Sequence, residues 1–548
     1  MKTNWHRFSE YLFLSKAPDL QLDISRMHFK ENDLLQLEPE MQEAYRQIRE
    51  LEAGSLANPD ENQMVGHYWL RAPELAPVRE LQEEIRNAQD QVMDFAWRVH
   101  QGLIPGQTGQ KFRHILIIGI GGSHLGPYFL SEALWQKENP CTLHFINNTD
   151  PDGIDRIMDL LEEKLAATLT VVISKSGTTV ETRNSMEEVR IFYGRQGLDF
   201  TRQAVCITRK DSMLDEMSKA EGWLASFPMW DWVGGRTSLF SPAGLLPLAL
   251  QGINIRELLE GACQCDALTR CRDTRKNPAA LMALMWYTRT KGRGGQHMVI
   301  LPYKDRLELL GKYLQQLVME SLGKEKDLEG TTVCQGITVY GNKGTADQHA
   351  FMQQLLEGPN DFFVQFIEVL KDRKDPSPKI AEDSSSGDYL QAFLIGTKNA
   401  LSQRGRESMT LTIPDISPKS LGALIALFER TVSLYAQLIH INAYHQPAVE
   451  HGKKGAHEVI RLKNQALAAL RTRKEPSCSL EALAQTIEDS AGSGKNSVER
   501  DVLFQILQHL AVNPYQDERI FLEIGEGPLD QSRIRWINNE KAGALHQY

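Results

Sequence analysis

Four short apolar runs, at residues 114–118, 143–148, 169–173 and 204–208, alternate with stretches of helical periodicity. Runs such as Leu169-Thr-Val-Val-Ile173 lack the apolar–polar alternation of a half-exposed strand, which predicts strands buried on both faces. The connections between them are long enough to carry a crossover helix. Strands alternating with helices predict a parallel α/β sheet. In such sheets ligands bind outside the carboxyl ends of the strands, so the turns that follow the runs are where chemistry is expected.

The turn after the third run is the most unusual. Ser174-Lys-Ser-Gly-Thr-Thr-Val-Glu-Thr182 carries hydroxyls at Ser174, Ser176, Thr178 and Thr179, a cation at Lys175 and a glycine at 177, and a helical pattern follows from Val180. A helix N-terminus offers unpaired N–H groups and the positive end of the helix dipole. Hydroxyls beside such N–H groups suit a phosphate monoester on a small molecule; an ordinary polar loop is the plain alternative. The turn after the first run is Gly119-Ile-Gly-Gly-Ser123. A dinucleotide fingerprint would need a third glycine at 124, where His124 stands. Close backbone approach to a ligand at Gly121 and Gly122, or tight strand–helix packing, remains.

Further strands are expected at 297–303, 337–340, 363–369 and 409–413, and Ser417-Pro418 starts a long helix with Ser as cap and Pro at the first position. These belong to a second α/β unit that begins near Asn277. A single helix is expected over 305–319. Residues 371–388, with Pro376, Pro378 and Ser384-Ser-Ser-Gly387, are expected to be a solvated loop. Residues 1–110 are rich in Leu, Glu, Gln and Arg; Leu81, Ile85, Val92 and Phe95 fall on one helical face. Beyond about residue 473 two amphipathic helices and a short strand at 521–524 are expected.

The net charge of −10 argues against a nucleic-acid binder. No apolar run reaches the ~18 residues needed to span a bilayer, and the first residues lack an apolar signal core, so a cytoplasmic location is expected. Seven scattered cysteines fit reduced thiols. Cys263, Cys265 and Cys271 cluster, but no fourth ligand completes a metal set, so no metal is expected.

Four further residues could do chemistry. Val233-Gly-Gly-Arg-Thr-Ser238 presents Arg236 on a glycine turn, suited to a phosphate, a developing oxyanion or a structural ion pair. Gln316 and Glu320 are four apart and share a helical face, and Glu320 lies at an apolar-to-Gly junction where a partly desolvated carboxylate suits a general base. His349 follows a strand in Gly341-Asn-Lys-Gly-Thr-Ala-Asp-Gln-His349 and suits proton transfer, or serves as a cap or core group. Glu450-His-Gly-Lys453, expected at the end of the long helix, offers one more cation.

Taken in order, these segments resemble the glucose-6-phosphate isomerase (phosphoglucose isomerase) family. The resemblance covers about residues 111–455 and is carried by Gly119-Ile-Gly-Gly-Ser123, Ser174-Lys-Ser-Gly-Thr-Thr179, Gly234-Gly-Arg236, Glu320-Ser-Leu-Gly-Lys324, Gly344-Thr345 with Gln348-His349, and Glu450 with Gly452-Lys453. It departs from the family pattern at Asp347, where a glycine is usual, and at His445, where an aspartate is usual. The resemblance implies two sugar-isomerase-type (SIS) parallel-sheet α/β domains, at 111–276 and 277–472. A helical N-terminal segment at 1–110 and a small α+β appendage at 473–548 would flank them. It implies reversible conversion of glucose 6-phosphate and fructose 6-phosphate, in glycolysis and gluconeogenesis, through a cis-enediol intermediate. Glu320 would be the base, Arg236 the enediolate clamp, and His349 and Lys453 the ring-opening pair. Ser174, Lys175, Ser176, Thr178 and Thr179 would hold the phosphate, and Gly122, Ser123, Gly235 and Gln316 would touch the sugar. No cofactor would be needed, and the usual homodimer would share its active sites, the histidine reaching into the partner subunit. The alternatives are isomerisation of another hexose 6-phosphate, of mannose or an amino sugar, and a sensor that binds a sugar phosphate without turning it over.

Overall fold

The structure is a computed structural model that describes residues 4–58, 60–473, 475, 477–491, 497–513, 518–524 and 532–538, without the side chains of 449–454 and 491. Two compact units divide it, 1–445 and 446–548.

The first unit is built on two sheets. Strands β3 (His114–Ile118), β4 (Thr142–Ile146), β5 (Thr168–Ile173), β6 (Ala204–Thr208) and β7 (Ala225–Pro228) form a parallel sheet in the order β4-β3-β5-β6-β7. Chain order reverses at β3, which pairs with both β4 and β5, so the gap between β3 and β5 is the switch point where such sheets bind ligands. Every residue of β5 and β6 is buried, as their unbroken apolar composition requires.

The second sheet is mixed. Strands β8 (Gln296–Pro302), β11 (Ile337–Tyr340), β12 (Phe362–Val369) and β15 (Ser408–Ile413) run parallel in the order β15-β12-β8-β11. An N-terminal hairpin, β1 (Leu12–Lys16) and β2 (Asp19–Asp23), adds antiparallel beyond β15. Two small hairpins, β9 (Lys324–Lys326) with β10 (Thr332–Gln335) and β13 (Lys379–Ala381) with β14 (Ser384–Ser385), stand apart.

Three local expectations change. The N-terminal segment is not purely helical, because β1 and β2 alternate over only five residues each; Leu20 and Leu22 are buried, but the run is too short to show a period. Ser384-Ser-Ser-Gly387 is not all loop. Ser385 caps the helix Ser386–Gln403 in a capping box with Asp388. The helix expected over 305–319 is three pieces: a 3₁₀ turn Asp305–Leu307, the α-helix Leu310–Leu314 and a π-helical turn Gln315–Glu320. All of them still bury the expected leucines, Leu307, Leu310, Leu314 and Leu317.

The expected cap holds at Ser417, whose hydroxyl accepts from the Ser420 N–H at the start of Pro418–Leu438. That helix packs along Ile255–Thr269 and is buried almost throughout, yet it carries Glu429 and Arg430 inside. Arg430 donates to Asp266 (2.8 Å) and to Glu52; Arg71, from the N-terminal segment, donates twice to Asp266 (2.6 and 3.1 Å) and to Glu429. Arg430 also lies over the Tyr68 ring, 3.7 Å from its centroid. Charges so deep are tolerable only because each is paired.

In the second unit the helix Pro447–Thr472 packs on Leu480–Ala491 and Arg500–Val512. Strands β16 (Ser477–Ser479), β17 (Glu518–Glu523) and β18 (Arg533–Asn538) form an antiparallel sheet in the order β16-β18-β17. Leu467, Leu470, Leu483, Leu503, Leu507 and Ile534 fill its core. The strand expected at 521–524 begins earlier, at Glu518. Gly452 and Lys453 lie near the start of Pro447–Thr472 rather than at the end of the preceding long helix, because the chain breaks after Leu438 and restarts at Pro447.

Removing the Asp266 charge leaves two buried guanidiniums short of a partner. Asp266→Asn is expected to destabilise the first unit by about 3–5 kcal/mol in urea unfolding followed by tryptophan fluorescence. Burial pushes the Asp266 carboxyl up, but Arg430 and Arg71 outweigh it and hold it at about 2. Its stabilisation is therefore present above the ordinary aspartate range near ~3.9 and lost as pH falls through that value toward 2. The wild-type melting temperature should fall over this window, and the Asp266→Asn variant should lack that part of the slope.

Candidate active site

The carboxyl end of the first sheet gathers three turns. After β5, the Ser174 N–H donates to Ile207 O (3.1 Å) and its buried hydroxyl to Thr179 Oγ1 (3.2 Å). Ser176 Oγ accepts from the Thr178 N–H (3.2 Å) and hydroxyl (3.0 Å). Ser176 and Thr178 are exposed, and Gly177 takes the left-handed φ of +70° that the turn needs. Thr179 is the N-cap of the helix Val180–Arg195, but its hydroxyl makes no capping bond. The first turn of this helix thus keeps its N–H groups for an anion.

Lys175 does not join the hydroxyls. Its ammonium donates to Asp231 O (2.8 Å) and Val233 O (3.0 Å), tying this turn to the loop that leads into Arg236, and burial lowers its pKa. Sequence could not foresee this, since the acceptors are main-chain carbonyls more than fifty residues away.

The turn after β3 meets the same loop. A Cβ on Gly122 would lie 1.7 Å from Gly235 O, so the absence of a side chain at 122 is what lets the two backbones touch. Gly121 has φ +59° and ψ −125°, and a Cβ there would come within 3.1 Å of Gln316 Nε2. Of the two explanations offered by the sequence, Gly122 follows close packing, while Gly121 faces the Gln316 amide. Ser123 is buried, and its N–H donates to Ile120 O (3.2 Å). Ser238 Oγ donates to Gly235 O (2.8 Å) and fixes the loop from its other side.

Arg236 is buried at the centre. Its Nη1 donates to Ala443 O (3.2 Å), its Nη2 to His445 O (3.3 Å), and its Nε lies 3.5 Å from Glu320 Oε2. Burial works against the guanidinium charge and Glu320 supports it. The acceptor loop is itself held: Asn442 Nδ2 donates to Asn58 Oδ1 (2.9 Å) and Asp60 Oδ2 (2.6 Å), and the Tyr444 hydroxyl donates to Ser433 Oγ (3.2 Å). Glu320 closes the π turn with its carboxylate about a quarter exposed, paired on one side and open on the other. Gln316, on the same turn, is half-buried. The π turn left no mark in the sequence, although such turns recur at functional sites. Lys324, just beyond it, is also buried; its ammonium donates to Glu320 O (2.6 Å) and Ser321 O (2.9 Å). The sequence contained it only as the end of a motif.

His349 stands apart. It ends the 3₁₀ turn Ala346–His349, exposed, and its ring makes no hydrogen bond among the described residues. The turn is fastened by Asp347, whose buried carboxylate accepts from the Asn342 and Lys343 N–H groups (2.7 and 3.1 Å). The residue that departs from the family pattern therefore anchors the loop. The side chain of Lys453 lies outside the described residues. The structure thus brings together Gly122, Gly235, Arg236, Gln316, Glu320 and the turn from Ser174 to Thr179, and leaves His349 outside that set.

The model of the phosphoglucose isomerase family matches residues 23–477. The chain is 54% identical over 532 residues to a glucose-6-phosphate isomerase of Desulfitobacterium hafniense (strain Y51), covering 97% of this chain and 98% of that one. It is 53% identical over 531 residues to one of Geobacter sulfurreducens, with 97% and 98% covered. Among solved structures, a glucose-6-phosphate isomerase from Chlamydia trachomatis superposes with a TM-score of 0.76 at 26% identity, over 84% of this chain and 91% of that one. With a family match over most of its length and relatives more than half identical, the chain belongs to the phosphoglucose isomerase family.

Proposed function

We propose that this chain interconverts glucose 6-phosphate and fructose 6-phosphate. The observation that carries the reading is the buried Arg236 held 3.5 Å from a half-open Glu320 carboxylate, joined through Lys175 and the Gly122–Gly235 contact to an uncapped helix N-terminus. One part suits a carbon acid, the other a phosphate.

In this reading the phosphate sits on the hydroxyls of Ser176, Thr178 and Thr179 and on the N–H groups opening Val180–Arg195. Ser174 shapes the turn from beneath and Lys175 braces it. Gly122, Ser123, Gly235 and Gln316 face the sugar. His349 and Lys453 open the ring by moving a proton between the ring oxygen and the anomeric hydroxyl. Glu320 then takes the proton from C2 of the open aldose, leaving a cis-enediolate charged at O1; the hydroxyl proton passes from O2 to O1, and Glu320 returns its proton to C1 to give the ketose. Arg236 stabilises the negative charge that develops on the enediolate oxygens, in a site dry enough for that charge to count. A sensor that only bound the sugar phosphate would gain nothing from a buried arginine aimed at a carboxylate.

His349 acts in the partner subunit of a homodimer. Its exposure and the lack of a hydrogen bond to its ring among the described residues support this. A cytoplasmic place in glycolysis and gluconeogenesis follows from the substrate, and among the described residues no helix is long and apolar enough to cross a membrane.

Glu320→Gln is expected to bind fructose 6-phosphate with little change by calorimetry, while turnover in a coupled assay falls roughly 100- to 10,000-fold. Wild-type turnover in that variant would remove Glu320 as base. Ser176→Ala with Thr179→Ala should raise KM at least tenfold (about 1.4 kcal/mol of ground-state binding) and alter kcat much less; an unchanged KM would put the phosphate elsewhere. Specific activity should fall on dilution through the concentration at which sedimentation shows monomers. Fully active monomers would contradict the shared site.

A further inference from the structure

One buried cation beside Glu320 is left unused by this mechanism. Lys324 lies four residues past Glu320, only 5% exposed, with its ammonium on the carbonyls of Glu320 and Ser321 at 2.6 and 2.9 Å. A methionine would fill the same space without the cost of burying a charge. The charged and titratable groups that face it come from three elements: Arg236 on the loop after β7, Glu320 on the π turn, and His445 on the loop after Pro418–Leu438. It is thus the third member of a charge cluster whose other two members face the substrate.

We propose that Lys324 is a positioning residue for Glu320: it clamps the last carbonyls of the π turn, so that the carboxylate stays aimed at its substrate, and its charge sets the field in which that carboxylate works. This rests on the reading of Glu320 as the base. Two hydrogen bonds from one ammonium to consecutive carbonyls at a helix end, where carbonyls lack partners within the helix, fix the direction of the turn. The charge also responds to pH. Burial, and then the Arg236 charge, bring the Lys324 ammonium down to about 7, with Glu320 opposing them. Below that pH the cluster carries two cations to one carboxylate; above it, one to one.

The test is Lys324→Gln, which keeps a donor but loses the charge, assayed with Lys324→Arg and Glu320→Gln. For Lys324→Gln, kcat should fall roughly tenfold or more with KM nearly unchanged. The acid limb of its kcat/KM–pH profile should move up by about one pH unit, as expected when a cation whose charge acts on a carboxylate is removed. Lys324→Arg should return the limb toward its wild-type position. A lower kcat with an unmoved limb would mean a merely structural role and overturn the proposal, while an inert Glu320→Gln left the base reading intact. An active Glu320→Gln would overturn both. Should Lys324→Gln fail to fold, lysine ¹³Cε NMR decides on the intact protein: one lysine should titrate near neutrality and shift to lower pH in Glu320→Gln. A lysine spectrum unchanged by Glu320→Gln would overturn the proposal.

Discussion

Arg71, Asp266 and Arg430 form the junction on which the first unit depends. The three come from the N-terminal segment, the helix Ile255–Thr269 and the helix Pro418–Leu438, and all are buried. Helices so apolar can slide past one another at little cost, since one leucine contact substitutes for another. A bidentate guanidinium on one carboxylate has a single geometry. The cluster thus fixes the register of the helical layer and anchors the N-terminal segment to it. Burial lifts Glu429 to about 7 against the pull of Arg71, while Asp266 is held at about 2. The two acids share the same arginines unequally, so Asp266 is the anion that the fold relies on.

The site is assembled by backbone as much as by side chains. Arg236 is aimed by two carbonyls, Lys324 by two more, and Lys175 by a further two. Three cations are therefore oriented by atoms that every residue type possesses. Where the loops touch, at Gly122 and Gly235, they do so because one side chain is missing. The Glu320 carboxylate, about a quarter exposed, remains in reach of solvent beside them.

How much of this was legible in the sequence follows from what each feature needs. The central strands were legible because a strand buried on both faces must be written as an unbroken apolar run. The strand-to-helix turn at 174–179 was legible because a glycine among four hydroxyls follows a buried run and a helical pattern begins at Val180. Glu320 and Arg236 were found as candidates by their junctions, and the family motifs gave them roles. The β1–β2 hairpin was missed because two five-residue strands show too little alternation. The π turn was missed because leucines at 307, 310, 314 and 317 satisfy an α-helical pattern equally well. The orientation of Lys175 and the burial of Lys324 were invisible because their partners are main-chain carbonyls, which leave no trace in residue identity.

The brace made by Lys175 sets the spacing between two parts of the site. Its ammonium leaves the turn after β5 and grips the backbone at Asp231 and Val233, five and three residues ahead of Arg236. The turn and the segment that carries the arginine are therefore held as one piece. A molecule long enough to reach both parts meets a spacing already set, so little ordering is left to be done as it binds.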